Sequence, residues 1–303
     1  GGGIYCSEDS IINIDGSVID NNYAKLGDNF INSQTKYALG GGIYASGIIR
    51  NSIIQGNTVA ESVYTSGDNN GGGIYCLSNS EIINCLIVNN GSHAGTGGGI
   101  YVAGIDVFIY GSTIYSNYVP YLGGHQLDTS STSATYFENS IIGSNRYIMS
   151  LYDLSNCIFT NTCLSPQDTL NIEGEGNIHA YPNFVTGPQG DYYLGQTAAG
   201  QGFNSPCIDA GSDTAANLGM DGYNTRTDRR NDIGIVDMGF HYNDNIADLD
   251  NSGLVDSSDY AILSGQWQNI PEFTADDISH EPGDGIIDIL DLAVLAENWL
   301  QGN

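Results

Sequence analysis

Apolar residues come in short alternating bursts through the first half of the chain. Gly72-Gly-Ile-Tyr-Cys76, Glu81-Ile-Ile-Asn-Cys85 and Leu86-Ile-Val-Asn-Asn90 are examples, separated by Gly, Asn or Ser. Alternation over such short runs predicts β-strands, and no helical period competes with it in this region. The bursts also recur as motifs. Gly-Gly-Gly-Ile-Tyr begins at residues 1, 40, 71 and 97. A second motif, [NG]-[SC]-x-[IF]-x-x-N, begins at Gly16, Asn51, Asn84, Gly111 and Asn139, with a degraded copy running from Asn156 to Thr162.

Repeats of this period predict a mainly β solenoid. Three short strands and three turns make one coil, and coils stack about 4.8 Å apart, so like side chains pile into columns. Ile19, Ile54, Ile87, Ile114, Ile142 and Phe159 form one expected interior column, and Ile4, Ile43, Ile74 and Ile100 another. The glycines suit sharp bends with positive φ and close backbone approach. Asn tolerates the left-handed region, and stacked Asn side chains hydrogen-bond along a pile. Asn22, Asn57, Asn90, Asn117, Asn145 and Asn161 are the expected ladder. Insertions at 24–39 and 58–68 bulge as loops while the strands keep register.

These repeats resemble those of right-handed parallel β-helix proteins of the pectin-lyase-like type, and the repeats of bacterial polymorphic outer-membrane adhesins. The resemblance implies a right-handed parallel β-helix over residues 1–170. From Asn177 the texture changes. Pro182, Phe184, Asp191, Tyr192, Leu194, Ser205, Pro206, Ile208, Asp209 and Gly211 resemble the closing segment that follows such repeats, as does the stretch from Arg226 to Tyr242. Residues 171–242 are therefore read as a cap, which an open solenoid end with unpaired strands requires.

Charge narrows the partners. Lys and Arg number 7 against 35 Asp and Glu, a formal charge of −28. Such a chain repels nucleic acid and anionic membrane surfaces, and no apolar run is long enough for a membrane span. Carboxylates can instead hold divalent cations. The six cysteines contain no CxxC pair, which argues against zinc. They read as small apolar residues in the stack, with Cys85 and Cys157 at one repeat position; Cys157 and Cys163 are near enough in sequence to bridge. No basic start followed by an apolar block opens the chain, and its first residue already lies inside a repeat, so preceding sequence is expected to be missing. The expected location is extracellular or at the cell surface.

The β-helix resemblance implies work on polysaccharide, and lyase, hydrolase and non-catalytic adhesin all stay open. A lyase needs a base. The basic residues of the repeats are Lys25, Lys36, Arg50 and Arg146, of which the first two lie in one insertion and the others flank strands as edge gatekeepers. A hydrolase needs two carboxyl groups about 5–9.5 Å apart, and His125 with Asp128 is only a faint trace of one. Arg226, Arg229 and Arg230 near Asp228, Asp232 and Asp237 read either as a site for a sugar acid or as an ionic clamp on the cap. Tyr5, Tyr44, Tyr75 and Tyr101 recur after each glycine turn, either as sugar-stacking platforms or as a column that shields the sheet.

Residues 243–303 form a third segment, crowded with Asp. Asp248, Asp250, Ser252, Leu254, Asp256 and Asp259, with Gly253 at the turn, follow the spacing of an EF-hand calcium loop, with Asp at its last position. Asp277, Asp284, Ile286, Asp288 and Asp291 repeat it if three residues bulge out. An amphipathic helix is predicted after each, over Tyr260–Trp267 and Leu292–Leu300, and the two tryptophans of the chain are equivalent. This duplicate resembles a dockerin module. The resemblance implies bound Ca2+, an all-α fold and docking onto a cohesin-like scaffold protein through Ser257, Ser258, Ile289 and Leu290. Together these readings give a scaffold-anchored β-helix protein that binds or degrades polysaccharide, or a non-catalytic adhesin.

Overall fold

The computed structural model describes residues 1–7, 10–25, 38–60, 69–93, 95–119, 126–129, 134–144, 156–166, 173–243, 247–249, 255–268, 277–279 and 285–300. The chain divides into two compact units. One comprises Gly1–Pro182, Asp209–Ser212 and Met238–Phe240; the other comprises Asn183–Ile208, Asp213–Asp237 and His241–Asn303.

The first unit is built of parallel sheets in a β-helix-like coil. One pass runs Ile43–Ala45, Gly47–Arg50, Ile53–Gln55 and Thr58–Ala60, and each strand joins a different sheet. Among the described residues, the four sheets hold five, six, seven and three strands, all parallel. They are called the first to fourth stacks, in that order.

Register confirms the predicted columns with one correction. Ile4, Ile43, Ile74 and Ile100 pair directly in the first stack, and Leu127 extends the row. Ile19, Ile54, Ile87, Ile114 and Ile142 pair in the third stack, and the next member is Leu164. Phe159 stands instead in the second stack, opposite Phe137, with the rings 4.7 Å apart. The degraded motif copy therefore begins at Asn161, not Asn156, and Cys157 does not share the Cys85 position. Asn161 has φ 42°, in line with Gly16, Asn51, Asn84, Gly111 and Asn139 at the same bend, all between φ 48° and 53°. None of the six cysteines forms a disulfide, and Cys157 and Cys163 lie on different stacks. Most of these column side chains are fully buried, and each contributes roughly 1.5–3 kcal/mol relative to exposure.

The amide ladder exists, with altered membership. Asn57 Oδ1 accepts from Asn22 N and Nδ2 at 2.9 and 3.0 Å, and its own Nδ2 donates back to the Ile19 carbonyl at 2.8 Å. Asn90 and Asn117 repeat the pattern. Gln126 then takes the next place, its Oε1 accepting from Asn117 N and Nδ2 at 3.2 and 3.1 Å. Asn145 lies outside the described residues. The ladder residues are not the left-handed ones. That conformation belongs to the residue just before each: Asn21, Gly56, Asn89 and Ser116.

A second, shorter ladder links the bends between the second and third stacks. The backbone N–H groups of Ser17, Cys85 and Ser112 donate to the hydroxyls of Ser52, Ser112 and Ser140 at 3.0–3.2 Å. The glycine motif explains itself at Gly71 and Gly72. Gly71 has φ 72°, and a Cβ on Gly72 would sit 2.4 Å from the Gly98 carbonyl oxygen. Only a hydrogen fits between these passes.

Part of the sequence read as a cap belongs to this unit. Asn139 Oδ1 accepts from Ser212 N at 2.8 Å, and its Nδ2 donates to the Ser212 hydroxyl at 3.0 Å. Gly239 N donates to the Asn139 carbonyl at 2.8 Å, and Phe240 N to the Thr113 hydroxyl at 2.9 Å. Both segments thus lie against one line of bends.

Among the described residues, the second unit holds an antiparallel pair, Phe184–Gly187 with Gly190–Leu194, and three α-helices. Helix α1 is a single turn, Ala215–Leu218; α2 spans Ser257–Gly265 and α3 Ile289–Glu297. The last two begin three residues earlier than the hydrophobic pattern predicts, because Asp256 and Asp288 cap them. The core of this tail is Ala247, Leu249, Val255, Leu263, Ile278, Ile287 and Leu295.

Candidate functional site

The tail is a duplicate at the level of single atoms. Asp256 and Asp288 are N-caps with the same backbone, φ −143° and ψ −158°. Asp256 Oδ1 accepts from Ser258 N at 2.7 Å, and Asp288 Oδ1 from Leu290 N at 2.8 Å. In return Asp259 and Asp291 accept from the cap residues' backbone N–H groups, both at 2.8 Å. These are capping boxes, which satisfy helix donors that would otherwise lack partners. The Asp-x-x-Asp spacing is the sequence signal for them.

The two copies tie each other shut. Gln268 N donates to the Ile287 carbonyl at 2.7 Å, and Leu300 N to the Val255 carbonyl at 2.8 Å. Gln268 and Leu300 each follow a tryptophan and share left-handed backbone, φ 58° and 61°. Val255 and Ile287 are both fully buried immediately before the capping aspartates.

Several carboxylates of the predicted calcium loops are buried. Asp259 and Asp291 have no exposed surface, Asp248 is 1% exposed and Asp277 6%. Asp277 Oδ2 accepts from Gly285 N at 2.6 Å. Asp291 Oδ1 accepts from Ile278 and Ser279 N–H at 2.7 and 3.0 Å. Burying four carboxylates is costly without compensating charge. Carboxylate oxygens are the donor type that a hard cation takes. Ile286 is exposed, and Asp256 and Asp288 are half-buried. Asp250, Ser252, Leu254 and Asp284 lie outside the described residues. Among the described residues, no group of three or more His, Cys, Asp or Glu is placed so that it could hold a metal ion.

The four residues expected to contact a scaffold partner open the two helices and face solvent. Ser257 and Ser258 are exposed at the start of α2; Ile289 (62%) and Leu290 (43%) are exposed at the start of α3. The two faces differ in chemistry: one is hydroxylic, the other aliphatic.

The tyrosine row is continuous. Tyr5, Tyr44, Tyr75 and Tyr101 stack with ring centroids 5.1 Å apart at each step and planes within 24°. Their faces therefore cover one another, leaving ring edges and the outer side of Tyr5, which is 66% exposed. Asp128 follows Tyr101 in the same register; His125 lies outside the described residues, as do Lys36 and Arg146.

A second aromatic surface escaped the sequence reading. The outward positions of the second stack carry Ile48, Glu81, Phe108, Tyr136 and Ile158 in one row, and Arg50, Ile83, Tyr110 and Glu138 in the next. Phe108 stacks on Tyr136 at 4.9 Å. Burial raises the Tyr110 hydroxyl above its usual pKa, helped by the negative charges of Glu138 and Glu81. Arg50 pairs with Asp15 at 3.0 Å on the exposed face; its strand is paired on both sides, so it is not the edge gatekeeper the sequence suggests. The signal for this surface was the alternation within the strands Val107–Tyr110 and Thr135–Glu138, whose outward residues are Phe108, Tyr110, Tyr136 and Glu138.

The arginine cluster is engaged internally. Arg226 grips Asp228 through two hydrogen bonds of 2.9 and 2.6 Å. Arg229 Nη1 donates to the Asp248 carbonyl at 2.5 Å. Asp232 accepts from His241 and from Asp237 N, both at 2.8 Å, with both side chains buried. This is the pattern of a clamp.

No helix is long and apolar enough to cross a membrane among the described residues. A scan against protein-family models found no matching family, and searches of curated proteins and of solved structures found no match.

Proposed function

We propose that this chain is a scaffold-anchored β-helix protein, with a polysaccharide-binding solenoid and a calcium-dependent dockerin-like tail. The observation that carries the proposal is the atomic duplication of the tail. Two loop-and-helix units share cap geometry, buried terminal aspartates and a reciprocal backbone tie. A duplicated loop with buried carboxylates gains its stability when a cation enters, because the ion neutralises charge the fold has already desolvated. Asp248, Asp256 and Asp259 would hold one ion with Asp250, Ser252 and Leu254. Asp277, Ile286, Asp288 and Asp291 would hold the other with Asp284. Calcium supplies structural cross-linking there; the chain's own residues cap the helices and present Ser257-Ser258 and Ile289-Leu290 outward.

The solenoid is the working surface in this reading. Phe108, Tyr110 and Tyr136 beside Glu81 and Glu138 combine apolar contact area with hydrogen-bond acceptors, the mixture that sugar rings and hydroxyls need. The pectin-lyase-like resemblance points to the same ligand class.

Immobilised cohesin-type modules test the tether. The chain is expected to be retained in calcium and released by chelator, and retention that ignores chelator overturns the calcium-built docking face. A panel of acidic and neutral polysaccharides tests the solenoid. Retarded migration in affinity gels supports binding, unsaturated or reducing-end product would add catalysis, and no interaction with any glycan overturns the polysaccharide reading.

A further inference from the structure

The last cations in the sequence are Arg229 and Arg230; no Lys or Arg occurs from residue 231 to residue 303. The acidic tail therefore contains no Lys or Arg of its own. Arg229 is 5% exposed, although a buried guanidinium is costly unless hydrogen-bonded. Its Nη1 donates to the carbonyl of Asp248, the residue that opens the first loop, across 19 positions of sequence. Arg229 also holds φ 59°, a conformation that costs a residue with a Cβ about 1–2 kcal/mol.

The surroundings enforce that conformation. Arg229 N donates to the Arg226 carbonyl at 3.2 Å, and Arg226 is fixed by its double contact with Asp228. Beyond the turn, Asp232 N donates to the Tyr223 carbonyl at 2.8 Å, and its carboxylate is held by His241 and Asp237 N. Both ends of the turn are anchored, and the product is one guanidinium set against Asp248. Ala247 and Leu249 flank Asp248 in the tail core, so its backbone is gripped on both sides and by Arg229 at its carbonyl. In the second loop the opening residue, Asp277, takes the Gly285 N–H.

We propose that Arg229 is a positioning residue of the first calcium loop: the segment before the tail reaches into it and fixes the residue that opens it. This rests on the calcium reading above. It makes the two loops unequal, the first depending on Arg229 and the second not. Groups that orient a ligand from behind typically change metal affinity by 10–100-fold when removed.

The test is calcium calorimetry, with terbium luminescence as a second readout, on the full chain and on Arg229→Met and Arg229→Gly. The glycine variant removes the guanidinium while suiting positive φ, so it separates lost positioning from backbone strain. An Asp277→Asn background isolates the first loop. Both Arg229 variants are expected to weaken the first site by about tenfold or more and to leave the second unchanged. Unchanged first-site affinity overturns the role of Arg229. So does tighter binding, which would make the guanidinium only a repelling charge, and so does equal loss at both sites. Failure of the unmodified chain to bind calcium overturns the underlying reading instead.

Discussion

Leu300 N donates to the Val255 carbonyl at 2.8 Å, while the equivalent Gln268 N donates to the Ile287 carbonyl at 2.7 Å. Each copy of the tail thus completes the other, and neither is closed alone. Gln268 is exposed and left-handed at φ 58°. Gln268→Gly should stabilise the tail by up to about 1 kcal/mol by removing that conformational cost. Gln268→Pro removes the donor and forbids the conformation, and should destabilise it by about 3 kcal/mol or more. Thermal melts followed by tryptophan emission report both, through the neighbouring Trp267. Equal melting of the two variants would contradict the tie.

Asn90 joins three passes of the coil. It accepts from Asn57, and donates to the Ile54 carbonyl and to Asn117. Asn90→Ala leaves buried groups on both neighbours without partners and should cost about 2–4 kcal/mol. Asn90→Asp should cost more, since it also buries a charge. Denaturant midpoints measure this, and a loss below about 0.5 kcal/mol would remove the ladder from the list of determinants.

Gly72 and Gly202 make a matched pair for the packing claim. A Cβ on Gly72 would lie 2.4 Å from a carbonyl oxygen, whereas one on Gly202 meets nothing within 4 Å. Gly72→Ala should block the stacking of successive passes and yield little folded protein. Gly202→Ala should be neutral or slightly stabilising. Soluble yield and melting temperature decide, and a well-folded Gly72→Ala would contradict the close approach.

Burial pushes the thiols of Cys76 and Cys85 up to about 11 and about 12. In the unfolded chain they ionise near 9. The proton is therefore held more tightly in the fold. Their contribution to stability is intact below pH 9 and is lost as the pH rises from there toward 12. Alkylation at pH 8 should mark the partly exposed Cys6 and spare Cys76 and Cys85. Equal labelling of all three would contradict their burial.

The repeating strands and the interior isoleucines were legible in the sequence because period-two alternation and Gly-rich bends are local signals. Phe159 was misplaced for a physical reason. Asn156-Cys157-Ile158-Phe159 fits the motif by residue type and Asn161-Thr162-Cys163-Leu164 does not, yet the pairing of Phe159 with Phe137 and of Leu164 with Ile142 puts the motif at Asn161. Gln126 was invisible as a ladder member, since it replaces an Asn from a different point of the coil. In the tail, aspartate spacing marked the duplicate plainly. The service of Arg229 to Asp248 could not be read, because nothing local joins residues 19 positions apart.

Calcium titration of the intact chain by calorimetry tests the central claim most directly. The account predicts saturable binding of two ions per chain, with a chelator-reversible rise in the melting temperature of the tail. A flat titration with an unchanged melting curve would contradict it.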